Sequence, residues 1–186
     1  MPCNKATLLI DQFLPKYHFS EQHQTSVHAP EDLVYASLMN CELSRSRVIQ
    51  YLFRLRGLPG SKLTIAGLKG AGFQILGTHP NRELVMGLIG RFWTRSGNIV
   101  KIAPEHFTDF NTPGYARAVL NFTMVPLHSG TVRLATETRI HCHSNKSRNL
   151  FRVYWTVIRP FSGWIRLEML RLIKLDSERR YRYKAT

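Results

Sequence analysis

The chain is poor in cysteine and in acidic residues and has no long apolar run, and each shortage removes a class of protein. Its three cysteines, Cys3, Cys41 and Cys142, are odd in number and far apart, with no C-x-x-C. A zinc ribbon and a disulfide framework are therefore excluded, and a reduced, cytoplasmic setting fits. No stretch reaches the ~18 apolar residues of a membrane span. The opening "MPCNKATLLIDQFLP" has too short an apolar core for a signal peptide, and Asp11 interrupts it. There is no G-x-S-x-G and no H-E-x-x-H. Gly67, Gly70 and Gly72 in "AGLKGAG" match neither G-x-G-x-x-G nor the Walker spacing, so no nucleotide loop and no cofactor is expected.

The 12 acidic residues stand against 26 Lys and Arg, a formal net charge of +14. Such a balance invites an anionic partner, either nucleic acid or a lipid surface. No helix-turn-helix, zinc-finger or RNP pattern accompanies the basic residues, which spread from Arg45 to Lys184 and are densest in "ERRYRYK". A solvated arginine-rich surface with a basic tail explains them better than nucleic-acid recognition. An anionic membrane surface stays open as a partner through that tail and the arginines of residues 45–56.

What is present is a substantial core. The chain is 44% apolar with 10 Phe, 7 Tyr and 3 Trp. At 186 residues it fits one domain, 1–186, able to bury roughly 70% of its unfolded surface. Residues 1–15 and 181–186 are expected to be peripheral or frayed. "YHFSEQHQTSVH" reads as an edge strand with one wet face. "APEDLVYASLM" opens a helix at Pro30 with Glu31 and Asp32 in its first turn. Ser44 suits the cap of a second helix ending at Gly57 and Pro59. From Phe73 the period becomes two. "GFQILGTH" and "RELVMGLIGRFW" form a hairpin about Pro80–Asn81, "IVKIA" a short strand, and "ARAVLNFTMVPL" and "TVRLATETRIHC" two long ones. Residues 145–180 carry Leu150, Tyr154, Val157, Phe161, Ile165 and Leu172 at helical spacing, with Arg148, Arg152, Arg159 and Arg166 on another face. Pro160 and Gly163 should kink or break this helix. Strands segregated from helices indicate α+β.

Three stretches, "VHAPEDLVYASL", "GFQILGTHPNRELVMGLIGRFW" and "TETRIHC…SRNLFRVYWTVIRPFSGWIR", resemble the START-like (SRPBCC) superfamily, whose helix-grip fold occurs in lipid-transfer domains and polyketide cyclases. The resemblance implies an antiparallel sheet of about six or seven curved strands wrapped around a long C-terminal helix, with two short helices after the first strand. It also implies a cavity between that helix and the sheet for a small hydrophobic or amphipathic ligand, lipid-like or an aromatic metabolite. It does not choose the ligand.

Alternation in the last strand places Val132, Leu134, Thr136, Thr138 and Ile140 on one face, and Arg133, Glu137, Arg139, His141 and His143 on the other. The first face is expected to meet the cavity, with Thr136 and Thr138 offering hydroxyls. Trp93, Tyr154, Trp155 and Arg159 complete the expected ligand-binding group, by stacking and a guanidinium fork. Glu137 and Arg139 read as a structural ion pair. The alternative function, a cyclase or dehydratase, uses Glu137 as acid–base in the same cavity. His141 and His143 lack a third ligand, so no metal site is expected.

Overall fold

In a computed structural model of the chain, residues 8–40, 72–94, 96–127 and 130–184 are described, together with residues 42, 46, 47, 50 and 64 singly. The second helix expected from Ser44 and the glycine-rich stretch after it lie almost wholly outside the described residues. The elements run α1 (Leu9–Phe13), β1 (Phe19–Val27), α2 (Glu31–Asn40), β2 (Gln74–His79), β3 (Glu83–Gly90), β4 (Ala116–Pro126), β5 (Val132–Cys142) and α3 (Asn145–Lys184). The strands form one antiparallel sheet in the order β1-β5-β4-β3-β2. This is the α+β, helix-grip architecture read from the sequence. Among the described residues the sheet has five strands rather than six or seven. "IVKIA" contributes a single bridge, Val100 to Ile89, shortly before the 3-10 turn Pro104–His106.

The sheet is covered on both faces. On the inner face Leu84, Met86, Leu120, Phe122, Met124, Val132 and Leu134 pack with Val34 and Leu38 of α2 and with Ile165, Met169, Leu170 and Ile173 of α3. On the outer face Val85, Ile89 and Val119 pack with Leu9, Ile10, Leu14, Leu76 and Phe107. Coverage on both sides is why β3, "ELVMGLIG", reads as a nearly unbroken apolar run. The edge strand β1 alternates half-buried and exposed instead.

Two sequence expectations are corrected. Residues 8–14 are not peripheral: α1 closes the outer core, and Ile10 and Leu14 are fully buried. Its first turn is anchored by the buried Glu83 carboxylate, which accepts from the backbone N–H groups of Leu9 (2.7 Å) and Ile10 (3.3 Å) and from Asn121 Nδ2 (2.9 Å). At the other end α3 continues to Lys184, with residues 181–184 exposed at the periphery. Second, Pro160 and Gly163 do not break α3, which runs for 40 residues. Pro160 lies on the exposed side, while packing before and after it, at Phe151 and at Ile165, holds the axis on the sheet.

Glu137 and Arg139 face outward, away from α3, as a closed pair. Arg139 Nε donates to Glu137 Oε1 at 2.7 Å and Nη2 to Oε2 at 3.2 Å, while Nη1 reaches Asp11 at 2.7 Å and the Leu14 carbonyl. Burial opposes the guanidinium charge, but the hydrogen bonds to Glu137 and Asp11 outweigh it and raise the Arg139 pKa. The pair thus pins α1 to β5. Arg139→Met should cost about 3–5 kcal/mol in urea unfolding, because it strands a buried carboxylate, and adding Glu137→Leu should restore much of that.

Candidate functional site

The inner face of β1 and β5 is where chemistry meets the long helix. Register places Glu21 opposite Thr138 and His23 opposite Thr136, all four side chains toward α3. Glycine at position 163 lets the helix come this close. A Cβ there would lie 2.8 Å from Glu21 Oε1 and 3.3 Å from His23 Nε2. His23 Nε2 and Glu21 Oε1 are 3.4 Å apart, an ion pair when the imidazole is protonated, though not aligned as a hydrogen bond. Arg159, one turn before Gly163, points its Nε at the same Glu21 oxygen from 3.9 Å with its side chain 61% exposed. Arg166 donates to the Thr138 hydroxyl. The buried Thr136 donates its hydroxyl to the Asn121 carbonyl at 2.7 Å, so that proton is committed within the sheet.

Toward the start of α3 this polar group borders a cluster of rings. The buried Phe151 is its centre. Trp93 meets it edge-on at 6.1 Å, Tyr154 lies at 5.6 Å, Trp155 stacks at 5.7 Å, and Phe19 and Phe92 complete the group. The structure therefore brings together Trp93, Tyr154 and Trp155, and sets Arg159 one turn beyond Trp155. Thr138 joins Arg166. Glu137 is excluded from the group because it occupies the opposite face, its two oxygens held by Arg139. An acid–base role for Glu137 beneath α3 is accordingly ruled out by strand alternation.

Sequence reasoning missed Glu21, His23, Phe151 and Arg166. A signal existed for the first two: in "FSEQHQTSV" Glu21 and His23 share the alternation of Phe19 and Val27, the apolar anchors. A hollow of about 400 Å³ lies elsewhere, between the end of α2 and the far part of α3, lined by Asn40, Glu42, Leu172, Leu175, Asp176, Arg179 and Arg180.

On the outer face His141 and His143 gain a third histidine, His18, which alternation in β5 could not reveal. The His18 and His141 rings stack at 4.6 Å, and His141 and His143 lie 5.1 Å apart. His18 Nδ1 accepts from the Cys142 N–H, and His141 Nδ1 meets the Lys16 carbonyl. Among the described residues no three His, Cys, Asp or Glu side chains are arranged to hold a metal ion. Burial, with Arg117 and the other two histidines adding to it, pushes His143 down to about 4. Burial also lowers His18 and His141, and it pushes the Cys142 thiol up to about 12, where it is inert as a nucleophile.

No family model matches the chain, and no curated protein matches it. Among solved structures it is similar to the Zhui aromatase/cyclase from Streptomyces sp. R1128, at 14% identity over 87% of this chain and 94% of that one, with a TM-score of 0.34. It is also similar to a protein from Thermus thermophilus, at 9% identity over 90% and 100% of the two chains with a TM-score of 0.30. A third, from Chromobacterium violaceum, gives 15% identity over 87% and 99%, with a TM-score of 0.31.

The close approach at Gly163 makes a graded prediction. Gly163→Val should lower stability by about 1–3 kcal/mol by overpacking. Gly163→Ala should be nearly neutral, since the Glu21 carboxylate can swing aside and Ala is better than Gly by about 1 kcal/mol inside a helix. The histidines make another. Because the fold holds them neutral, the unfolded chain takes up their protons first as pH falls below the ordinary 6.5. Stability should be complete above that value and decline toward about pH 4, and His143→Gln should flatten the decline in melting temperature.

Proposed function

We propose that the protein binds a small amphipathic molecule, lipid-like or an aromatic acid, at the junction of α3 with the inner face of the sheet. The observation that carries this reading is a half-buried polar group, Glu21, His23 and Arg166 around the buried Thr138, next to six aromatic rings, with the exposed Arg159 reaching Glu21. In this reading the rings of Trp93, Tyr154 and Trp155 take the apolar part of the ligand. Removing that surface from water contributes roughly 25 cal/mol per Å². Arg159, only loosely engaged at 3.9 Å, is free to turn its fork to a carboxylate or phosphate on the ligand. The mechanism is sequestration: six rings supply affinity without directionality, and the guanidinium supplies orientation.

A second reading, a cyclase- or dehydratase-type enzyme, is favoured by one observation, the Glu21–His23 pair beneath the helix. A carboxylate and an imidazole in contact form a proton-transfer couple. Glu137 has no part in it. The two readings differ in what Glu21→Gln does. In a container it leaves ligand affinity nearly unchanged, whereas in an enzyme it abolishes turnover of the bound molecule.

Native mass spectrometry of the purified chain, followed by organic extraction, should reveal a bound molecule of small mass. Arg159→Ala should weaken binding of an acidic ligand about tenfold, equivalent to 1.4 kcal/mol, at unchanged melting temperature. An affinity indifferent to Arg159 and to Trp155→Ala alike would place the ligand elsewhere.

A further inference from the structure

At one corner of the outer face, basic side chains gather from the ends of four strands and the start of α3. The rings of His18, His141 and His143 follow one another there, 4.6 Å and 5.1 Å apart. Register sets Arg117 of β4 opposite His141, and the His143 N–H donates to the Tyr115 carbonyl beside it. Arg148, exposed near the start of α3, lies close enough to His18 to disfavour its protonation. Arg91 holds its guanidinium over the Tyr115 ring at 4.4 Å, and Lys16 is exposed at the edge. The acids nearby do not balance these charges. Glu137 and Asp11 are held by Arg139, while Asp109 is 76% exposed and 4.0 Å from His106.

Hydrogen bonding decides which atoms are on offer. His18 Nδ1 accepts from the Cys142 N–H, so a neutral His18 carries its proton on Nε2. His141 Nδ1 meets the Lys16 carbonyl and donates to it, which leaves the lone pair on Nε2. Protonating His141 therefore gives two Nε2–H donors on stacked rings. Arg117 is aimed by its Nη1, which donates to the carbonyls of Phe107 at 3.2 Å and Thr108 at 2.7 Å. Among the described residues five buried side-chain nitrogen and oxygen atoms lack a hydrogen-bond partner, and three of them, Arg91 Nε, Arg117 Nε and His143 Nε2, belong to this corner. Buried polar atoms are seldom left unmet, so the corner holds more hydrogen-bonding capacity than the protein itself satisfies.

We propose that His18, His141, Arg117 and Arg148 bind the phosphate group of a small phosphomonoester at this corner of the outer face. Two fixed guanidinium charges, with imidazoles able to add to them, suit a dianion better than a carboxylate. One compact corner suits a single phosphate group better than the run of phosphates along a nucleic acid. Phe110, whose ring meets both Tyr115 and His143, supplies apolar surface for the rest of the molecule. The site lies on the opposite face of the sheet from Arg159 and is independent of what binds there. Proton linkage follows from the surroundings. Burial first, then Arg117, Arg148 and the histidines' mutual repulsion, disfavour imidazolium in the free protein. A bound dianion favours it, so binding takes up protons and tightens as pH falls.

The test follows the histidine ring resonances of the full chain by NMR through a pH titration, in sodium chloride and in sulfate, inorganic phosphate or phenyl phosphate at equal ionic strength. His18 and His141 should titrate at higher pH with each oxyanion than in chloride. Sulfate, whose charge is constant over the range, should bind about tenfold tighter at ~pH 5.5 than at ~pH 8. Phenyl phosphate should bind at least as tightly as inorganic phosphate. His79, at the far end of the strands, should not respond. Arg148→Gln, at an exposed position, should weaken binding about tenfold at unchanged melting temperature. His141→Gln should remove most of the pH dependence. Oxyanions that move every histidine alike, His79 included, overturn the proposal as general screening. So does silence at His18 and His141, or an Arg148→Gln variant that binds as tightly as the wild type. A single-stranded oligonucleotide that perturbs the corner and is not displaced by phenyl phosphate also overturns it, and assigns the corner to nucleic acid.

Discussion

The seating of α3 against β1 and β5 is the contact on which the rest of the structure depends. A 40-residue helix with Pro160 near its middle would have little reason to stay continuous in water. It is held along its length by Phe151 at one end of the sheet and by Ile165, Met169, Leu170 and Ile173 farther on. Each of those four, buried, contributes about 1.5–3 kcal/mol. Gly163 permits the closest approach, directly over Glu21 and His23. One glycine therefore both docks the helix and brings backbone against the two titratable side chains of the inner face.

The outer face obeys a different logic. There the sheet buries charge, and Glu83, Glu137 and Arg139 each meet a partner of opposite sign or of matching hydrogen-bonding type. Glu83 takes two backbone N–H groups of α1, Asn121 links Glu83 to the Glu137 backbone, and Arg139 joins Glu137 to Asp11. The network fastens the five-residue α1, too short to persist alone, to three strands. The consequence for function is direct. Glu137 has the residue type of a general acid, yet its surroundings commit it to structure, whereas Glu21 on the inner face has a histidine and a solvent-exposed arginine near its carboxylate.

Much of the candidate site was legible in pattern. Alternation in "TVRLATETRIHCH" separates Thr136 and Thr138 from Glu137, Arg139, His141 and His143, and the faces fall that way. Helical spacing places Tyr154, Trp155 and Arg159 within two turns, and Tyr154 and Trp155 meet Trp93 around Phe151 while Arg159 reaches Glu21. Periodicity was less reliable on the apolar residues of α3, where Val157 and Phe161 share a line with Ile165 yet stay exposed while Ile165 is buried. A helix apolar over more than half its circumference has no unique inward direction, and a hydrophobic pattern cannot choose one.

The amino-acid sequence alone determined what local physics determines: strand and helix types, their order, the α+β class and which side chains share a face. These follow from two periods, 2 and 3.6, and from turn residues such as Pro80–Asn81. Tertiary structure decided which face of each element turns inward, because that choice depends on what lies across from it. It put His18 beside His141 from 123 positions away, set Gly163 over Glu21, and folded residues 8–14 onto the outer face through Glu83. Contacts between residues so far apart leave no periodic trace in the chain, and they are what closes Glu137 in an ion pair with Arg139 while setting Glu21 beside His23 under the long helix.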